Sequence, residues 1–176
     1  MFSYDPAREL GMIDQYYERA VAMFNLPDDV IFRSVPDFSA WSAADHLVHL
    51  ARTNTQIIRS VNQLLEGRGS EGAPTRLGAF LLLAGGIPRK RAQADPAIHP
   101  PSQLDRGQAR VIWGESVDHL TALRGRLPEI SRARARFKHQ IFGLLSAAEW
   151  TRFAAVHTRH HLRIAEDVVH IRCGAH

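Results

Sequence analysis

His157 and His161 stand four residues apart in the stretch Trp150–Ile171. Read at 100° per residue, that stretch puts Trp150, Phe153, Ala154, Ile164, Val168 and Ile171 on one helix face, with both histidines at its centre. Residues at this spacing are neighbours on one side of a helix, with Cβ atoms roughly 5–6 Å apart. Two imidazoles so placed can grip one metal ion. A buried imidazole is costly unless its nitrogens are satisfied, and a divalent cation satisfies two rings at once. The plain alternative is a pair of core histidines hydrogen-bonded to the backbone or to each other. A metal held by two imidazoles alone is weakly bound, so the chemistry asks for a third ligand. The stretch Trp41–Leu50 offers His46 and His49. Periodicity places His46 nearer the centre of the Leu47/Leu50/Ile57/Val61 stripe and His49 towards its flank.

Four helical stretches would position these rings. The first opens at Asp5-Pro6, an N-cap followed by proline at the first helical position. Its stripe is Leu10, Ile13, Tyr17, Ala20/Val21 and Phe24, and it ends before Pro27. The second opens at Ser42 with Asp45 three residues on, close to a capping box. Leu47, Leu50, Ile57, Val61 and Leu64 face inward, and Gly67 stops it. The third starts near Ser102, turns Ile112, Trp113, Leu120, Leu123 and Leu127 inward, and ends at Pro128. The fourth opens at the Ser146/Glu149 capping box and runs to about Ile171, before Gly174. Amphipathic helices of roughly 20–26 residues predict an all-α chain built as a four-helix bundle. No run of alternating β-branched residues announces a sheet. The connection Arg68–Pro101 is too long to be idle. Its apolar piece Leu77–Ala84, closed by Gly85-Gly86-Ile87-Pro88, reads as a short extra helix lying across one end of the bundle or against a partner chain. Lys138–Gly143 reads as extended and leads into the last helix.

A chain of 176 residues is expected to make one domain over 1–176, and 45% hydrophobic residues suffice for a core. The single cysteine, Cys173, cannot pair within the chain and fits a reducing compartment. Met1-Phe2-Ser3-Tyr4-Asp5-Pro6 lacks the basic and apolar regions of a signal peptide. The longest apolar run, around Phe80–Ala84, is far too short to span a membrane. A soluble cytoplasmic protein with no membrane partner is expected. The net charge of +4 comes largely from arginine, much of it in Arg124–Lys138, with a smaller cluster at Arg89-Lys90-Arg91. Such patches could meet nucleic acid, an anionic substrate or an acidic thiol cofactor. No aromatics are interleaved as a single-strand binder requires, and no recognition-helix or zinc-finger spacing occurs. The basic runs therefore read as solvated loops, and nucleic acid is not an expected partner.

Trp41-Ser42, His49-Leu50 and His157-Thr-Arg-His160-His161, in that order, give the chain a resemblance to the DinB-like (YfiT-like) superfamily. The lead-in Phe142–Trp150 is similar to that of a subgroup. The resemblance covers about Asp5 to Ile171. It implies a four-helix bundle with up-down-down-up connectivity and a divalent metal, often zinc or nickel, held by three histidines. Carried over residue by residue, these are His49, His157 and His161. The resemblance thus sets His49 above His46, and leaves His46, His160, His139 and His119 outside the ligand set, with His160 flanking it. One departure stands out. Many relatives carry glutamine two or three residues after the last ligand, where this chain has Leu162-Arg163-Ile164. Arg163 would change what stands beside the site.

Three histidines leave coordination positions open for water or substrate. In one reading a low-molecular-weight thiol is held and deprotonated there, and its thiolate attacks an electrophilic small-molecule substrate. Members of the family that the chain resembles include thiol-dependent transferases and isomerases using bacillithiol, mycothiol or glutathione. In a second reading, activated water hydrolyses a small ester or amide. That reading needs a general base; Asp45, Glu115 and Asp118 are available, and H-E-x-x-H is absent because Thr158 follows His157. In a third, the chain binds a metal or ligand without catalysis. A homodimer is expected from Phe80-Leu81-Leu82-Leu83, apolar on all sides of a short helix. The alternative is a plug at the end of the bundle, wholly buried within one chain.

Overall fold

Side-chain caps fix where the long helices begin. The computed structural model describes residues 4–88 and 96–174. Asp5 accepts from the backbone N–H of Ala7 at 3.0 Å and opens α1, Pro6–Val21. After a 3-10 turn (Ala22–Asn25) and the short α2 (Asp28–Ile31), Ser42 and Asp45 form a full capping box at the start of α3, Ala43–Leu65. In the last helix, α7 (Ala147–Gly174), Glu149 accepts from the Ser146 N–H at 2.8 Å.

The third long helix departs from the expectation at both ends. It begins at Arg106, where Asp105 and Gln108 cap each other reciprocally, and not near Ser102. This α5 runs Arg106–Arg124. Pro128 does not end it. Proline instead stands in the first turn of a separate helix, α6 (Leu127–Arg132), where its missing N–H has no intrahelical partner to lose. Ile112 and Leu127 are only partly buried, whereas Trp113, Leu120 and Leu123 are core. Val21 is exposed, so Ala20 carries that turn of the α1 stripe.

The expectation of no sheet is also corrected. β1 (Arg136–His139) and β2 (Gly143–Ser146) form an antiparallel hairpin, pairing Phe137 with Leu145 and His139 with Gly143. The strands are four residues each and not β-branched, too short for alternation to register. Gly143 makes the turn possible with φ 81°; a Cβ there would meet the Thr75 backbone nitrogen at 2.6 Å. Arg136, the buried first residue of β1, pairs with Glu149 at 2.6 Å and ties the strands to the start of α7.

The apolar piece of the long connection is a helix, α4 (Arg76–Ala84), capped by Thr75 and closed by Gly85 in the left-handed region. It lies on α7. Arg152 donates to the Leu82 carbonyl at 3.0 Å, and Arg159 donates to the Gly85 carbonyl. Only its Leu82 side is buried. Leu77, Phe80 and Leu83 are exposed at 57%, 64% and 49%, which excludes the wholly buried plug. The Arg89-Lys90-Arg91 cluster lies outside the described residues.

Among the long helices, α3 packs along α7 and α5, while α1 packs along α7 and touches α5. A buried polar chain crosses all of them. The Tyr17 hydroxyl meets Ser116 Oγ at 2.8 Å, and Asn54 Nδ2 donates both to Tyr17 at 3.0 Å and to Thr158 Oγ1 at 2.9 Å. Tyr17 also stacks on Trp113, with ring centroids 4.2 Å apart. Burial pushes the Tyr17 phenol up to about 12, so it stays protonated as a donor. This network fixes α3 against α7 one residue from His157. No helix among the described residues is long and apolar enough to cross a membrane.

Candidate metal centre

α3 and α7 pack face to face, so inward residues of one meet those of the other. Three histidines among them converge. His49 from α3 meets His157 and His161 from successive turns of α7, and one nitrogen of each lies within 4.8 Å of the others. The ring centroids stand 5.2 Å apart for His49–His157 and 4.5 Å for both His49–His161 and His157–His161. The inward face of α7 is otherwise as expected at Trp150, Phe153, Ala154 and Val168. Towards its end it rotates. Leu162 and Ala165 are buried, Ile164 only partly, and Ile171 is exposed.

Burial sets the protonation of the group. His49 is 2% exposed, and desolvation lowers its pKa to about 4 against a bond to the Ile98 carbonyl that raises it. Desolvation likewise holds His157 and His161 well below the ordinary imidazole value, with neighbouring imidazoles adding to the effect. Neutral imidazoles are the form that ligates a metal. The available nitrogens can be traced. His49 Nδ1 bonds the Ile98 carbonyl at 2.9 Å, so it carries the proton and leaves Nε2 as the donor nitrogen. His161 Nδ1 is engaged by His46 Nδ1 at 3.0 Å, which again leaves Nε2. His157 Nδ1 is buried with no hydrogen-bond partner. An orphaned buried nitrogen costs on the order of 1–3 kcal/mol, which ligation within the group would offset. Three neutral nitrogen donors, two with the other nitrogen already bonded, fit a divalent metal of the zinc type.

The surroundings are aromatic. Trp41 stands over the group, its ring 4.9 Å from His49, 5.3 Å from His46 and 6.3 Å from His161. Phe153 closes the His157 side at 5.5 Å. The second half of the long connection reaches the site as well. A 3-10 turn at Pro96–Ile98 supplies the carbonyl on His49, and Arg52 donates to the next carbonyl, that of His99.

The other histidines separate cleanly. His119 lies on α5 with its Nδ1 on the Glu115 carbonyl. His139 is the last residue of β1, where Nδ1 accepts from the N–H of Ile141 at 3.1 Å across the turn, and the ring packs on Phe142 and Phe153. His160 flanks the group, its ring 5.0 Å from that of His161. With Arg159, Arg163, Val156 and residues 85–87 it lines a shallow pocket beside the centre, which is where the departure at Arg163 falls. His46 is outside the three but is not a bystander, since it touches His161 directly. Its position at the centre of the α3 stripe was the sequence signal for this inward orientation. Nothing in the sequence pointed to the Ile98 carbonyl, which reaches His49 across 49 residues.

A family model described as the DinB superfamily matches residues 12–165, a span that includes His49, His157 and His161. No curated protein matches the chain, and no solved structure does.

Proposed function

The chain belongs to the DinB superfamily, and from that membership we propose that it is a metal-dependent enzyme whose His49, His157 and His161 hold one divalent ion, zinc or nickel, at which a low-molecular-weight thiol is used to attack an electrophilic small molecule. The observation that carries this reading is the convergence of three neutral imidazoles, buried at His49 and His157 and half-buried at His161, with one nitrogen of each within 4.8 Å of the others. A divalent ion bound there supplies charge that favours the deprotonated form of a thiol or of water. The protein's own residues do the rest. Trp41 and Phe153 wall the centre with apolar surface and keep bulk water from it. The Ile98 carbonyl holds the His49 ring in one orientation. Arg159 and Arg163, lining the pocket beside His160, supply positive charge on the side where an anionic thiol or substrate would lie.

The positions of the carboxylates favour the thiol reading over hydrolysis. Asp45 is held in the α3 cap, its Oδ2 accepting from both the N–H and the hydroxyl of Ser42 at 2.9 and 2.7 Å. Glu115 and Asp118 are exposed on α5. None of the three is a member of the histidine group. The helices belong in this reading to an up-down-down-up four-helix bundle. The test is elemental analysis of protein purified without chelator or nickel resin, followed by turnover assays. Stoichiometric divalent metal is expected, with turnover of an electrophile only when a thiol is added. Metal with ester hydrolysis and no thiol dependence would favour the hydrolase; metal without either activity would favour a binding protein.

A further inference from the structure

We propose that His46 is a positioning residue of the metal centre: through its bond to His161 it selects the tautomer in which His161 can act as a ligand. The inference rests on the reading of His49, His157 and His161 as ligands, and extends it to a residue outside that set.

The argument is proton bookkeeping on three consecutive contacts. His161 Nδ1 and His46 Nδ1 are 3.0 Å apart, so one donates and the other accepts. His46 Nε2 and Ser39 Oγ are 2.9 Å apart. Ser39 Oγ also accepts from the backbone N–H of Trp41 at 3.1 Å. With one N–H on each ring, only two arrangements satisfy both contacts. In the first, His161 carries its proton on Nδ1 and donates to His46 Nδ1. His46 then carries its proton on Nε2 and donates to Ser39, and His161 Nε2 has a free lone pair. In the second, Ser39 donates to His46 Nε2, His46 donates to His161 Nδ1, and His161 Nε2 is protonated and cannot ligate. The Trp41 N–H occupies one lone pair of Ser39 Oγ and leaves the other open to a His46 Nε2–H, so Ser39 can accept as the first arrangement requires, and a metal on His161 Nε2 is compatible with that arrangement alone. Each member is held by a different piece of chain. Ser39 precedes α3, His46 sits in its second turn and His161 lies on α7, so the tautomer of a ligand on one helix is set from another.

The arrangement resembles general second-sphere practice, in which a ligating histidine donates its other N–H to a fixed acceptor and loss of that acceptor weakens metal binding about 10–100-fold. The acceptor here is an imidazole that must itself be oriented.

The experiment is cobalt(II) titration of the metal-free full chain, by visible absorbance and competition with a chromophoric chelator, on wild type and His46→Asn, His46→Gln and His46→Ala. An asparagine amide oxygen can stand where imidazole Nδ1 stands and still accept from His161; a glutamine amide reaches the Nε2 position instead. Affinity within about threefold of wild type is expected for His46→Asn, with a loss of about 10–100-fold and a shifted cobalt spectrum for His46→Gln and His46→Ala. Equal weakening in all three would reduce His46 to a packing role and overturn the proposal, as would wild-type affinity in all three. A second measurement needs no variant. Long-range proton–nitrogen correlation spectra of zinc-loaded wild type should show His46 protonated on Nε2 and His161 on Nδ1; a proton on His46 Nδ1 overturns the proposal. His49→Ala is the control for the underlying reading. If it binds cobalt as tightly as wild type, the three-histidine ligand set fails, whatever the His46 series shows.

Discussion

Desolvation holds the imidazoles of the histidine group and of His139 in the neutral form, and this has two consequences that single substitutions can read. The first concerns ligation. His49, His157 and His161 each contribute one nitrogen to a shared point, so alanine at any one leaves two donors and a weak site. A loss of metal affinity of at least about 100-fold is expected for each by competition titration, against no change for His119→Ala, whose ring is held on the Glu115 carbonyl of α5. The second concerns pH. Desolvation lowers His139 to about 4, well under the ordinary value of 6.5. Between those limits the unfolded chain takes up a proton at this residue that the folded chain refuses. Stability from this group is therefore fully present above about pH 6.5 and falls as the pH drops towards 4, by at most about 1.4 kcal/mol per pH unit. Urea unfolding of metal-free protein at pH 7 and pH 5 should show that loss, and His139→Leu should show a shallower one. A slope unchanged by His139→Leu would mean that the ring charges freely in the folded state.

Helix starts were legible because a cap is a local device. Asp5-Pro6, Ser42/Asp45 and Ser146/Glu149 declare themselves within four residues and open α1, α3 and α7 as read. The start of α5 is also a local cap, but Ser102 and Asp105/Gln108 stand three residues apart as competing signals, and the reciprocal pair is the one the helix uses. Pro128 was misjudged for a different reason: proline stops a helix in its interior and suits its first turn, and only the tertiary path tells which applies. The triad was legible as far as period and family motif reach. The hairpin and the Ile98 carbonyl were not, because they depend on contacts between distant segments. The hairpin rests on one such contact. Gly143 holds φ 81° with the Thr75 nitrogen 2.6 Å from where a Cβ would sit. Gly143→Ala therefore faces both backbone strain and a clash with main chain, and should cost about 1–3 kcal/mol or more in denaturant unfolding. Gly114→Ala, inside α5 with nothing within 4 Å of its Cβ, should instead gain about 1 kcal/mol. Equal effects at the two positions would mean that the hairpin turn is not a fixed element.

At the scale of the whole molecule, one helix is left with an apolar face turned outward. On α4, Leu82 is buried at 1% while Leu77, Phe80 and Leu83, spaced three apart, are exposed. The face is fixed rather than floating, because Arg152 and Arg159 of α7 hold the Leu82 and Gly85 carbonyls at the end of the helix. Rotating those leucines inward would break both bonds and expose Leu82. A rigid apolar patch of this kind favours association, and two copies related by a two-fold axis bury it with the same residues on both sides. We propose a homodimer joined through α4. Light scattering at micromolar concentration should give the mass of two chains, and Phe80→Glu should give one, because a carboxylate at the centre of the shared patch would face its own copy across the axis without a counter-charge. The histidine group offers an internal check on that variant. α4 lies on the outside of α7, and none of the three histidines belongs to it, so Phe80→Glu should bind metal like wild type. A monomeric mass for the wild type, unchanged by the substitution, would end the dimer proposal; loss of metal along with the dimer would mean that the interface helps hold α7 in place.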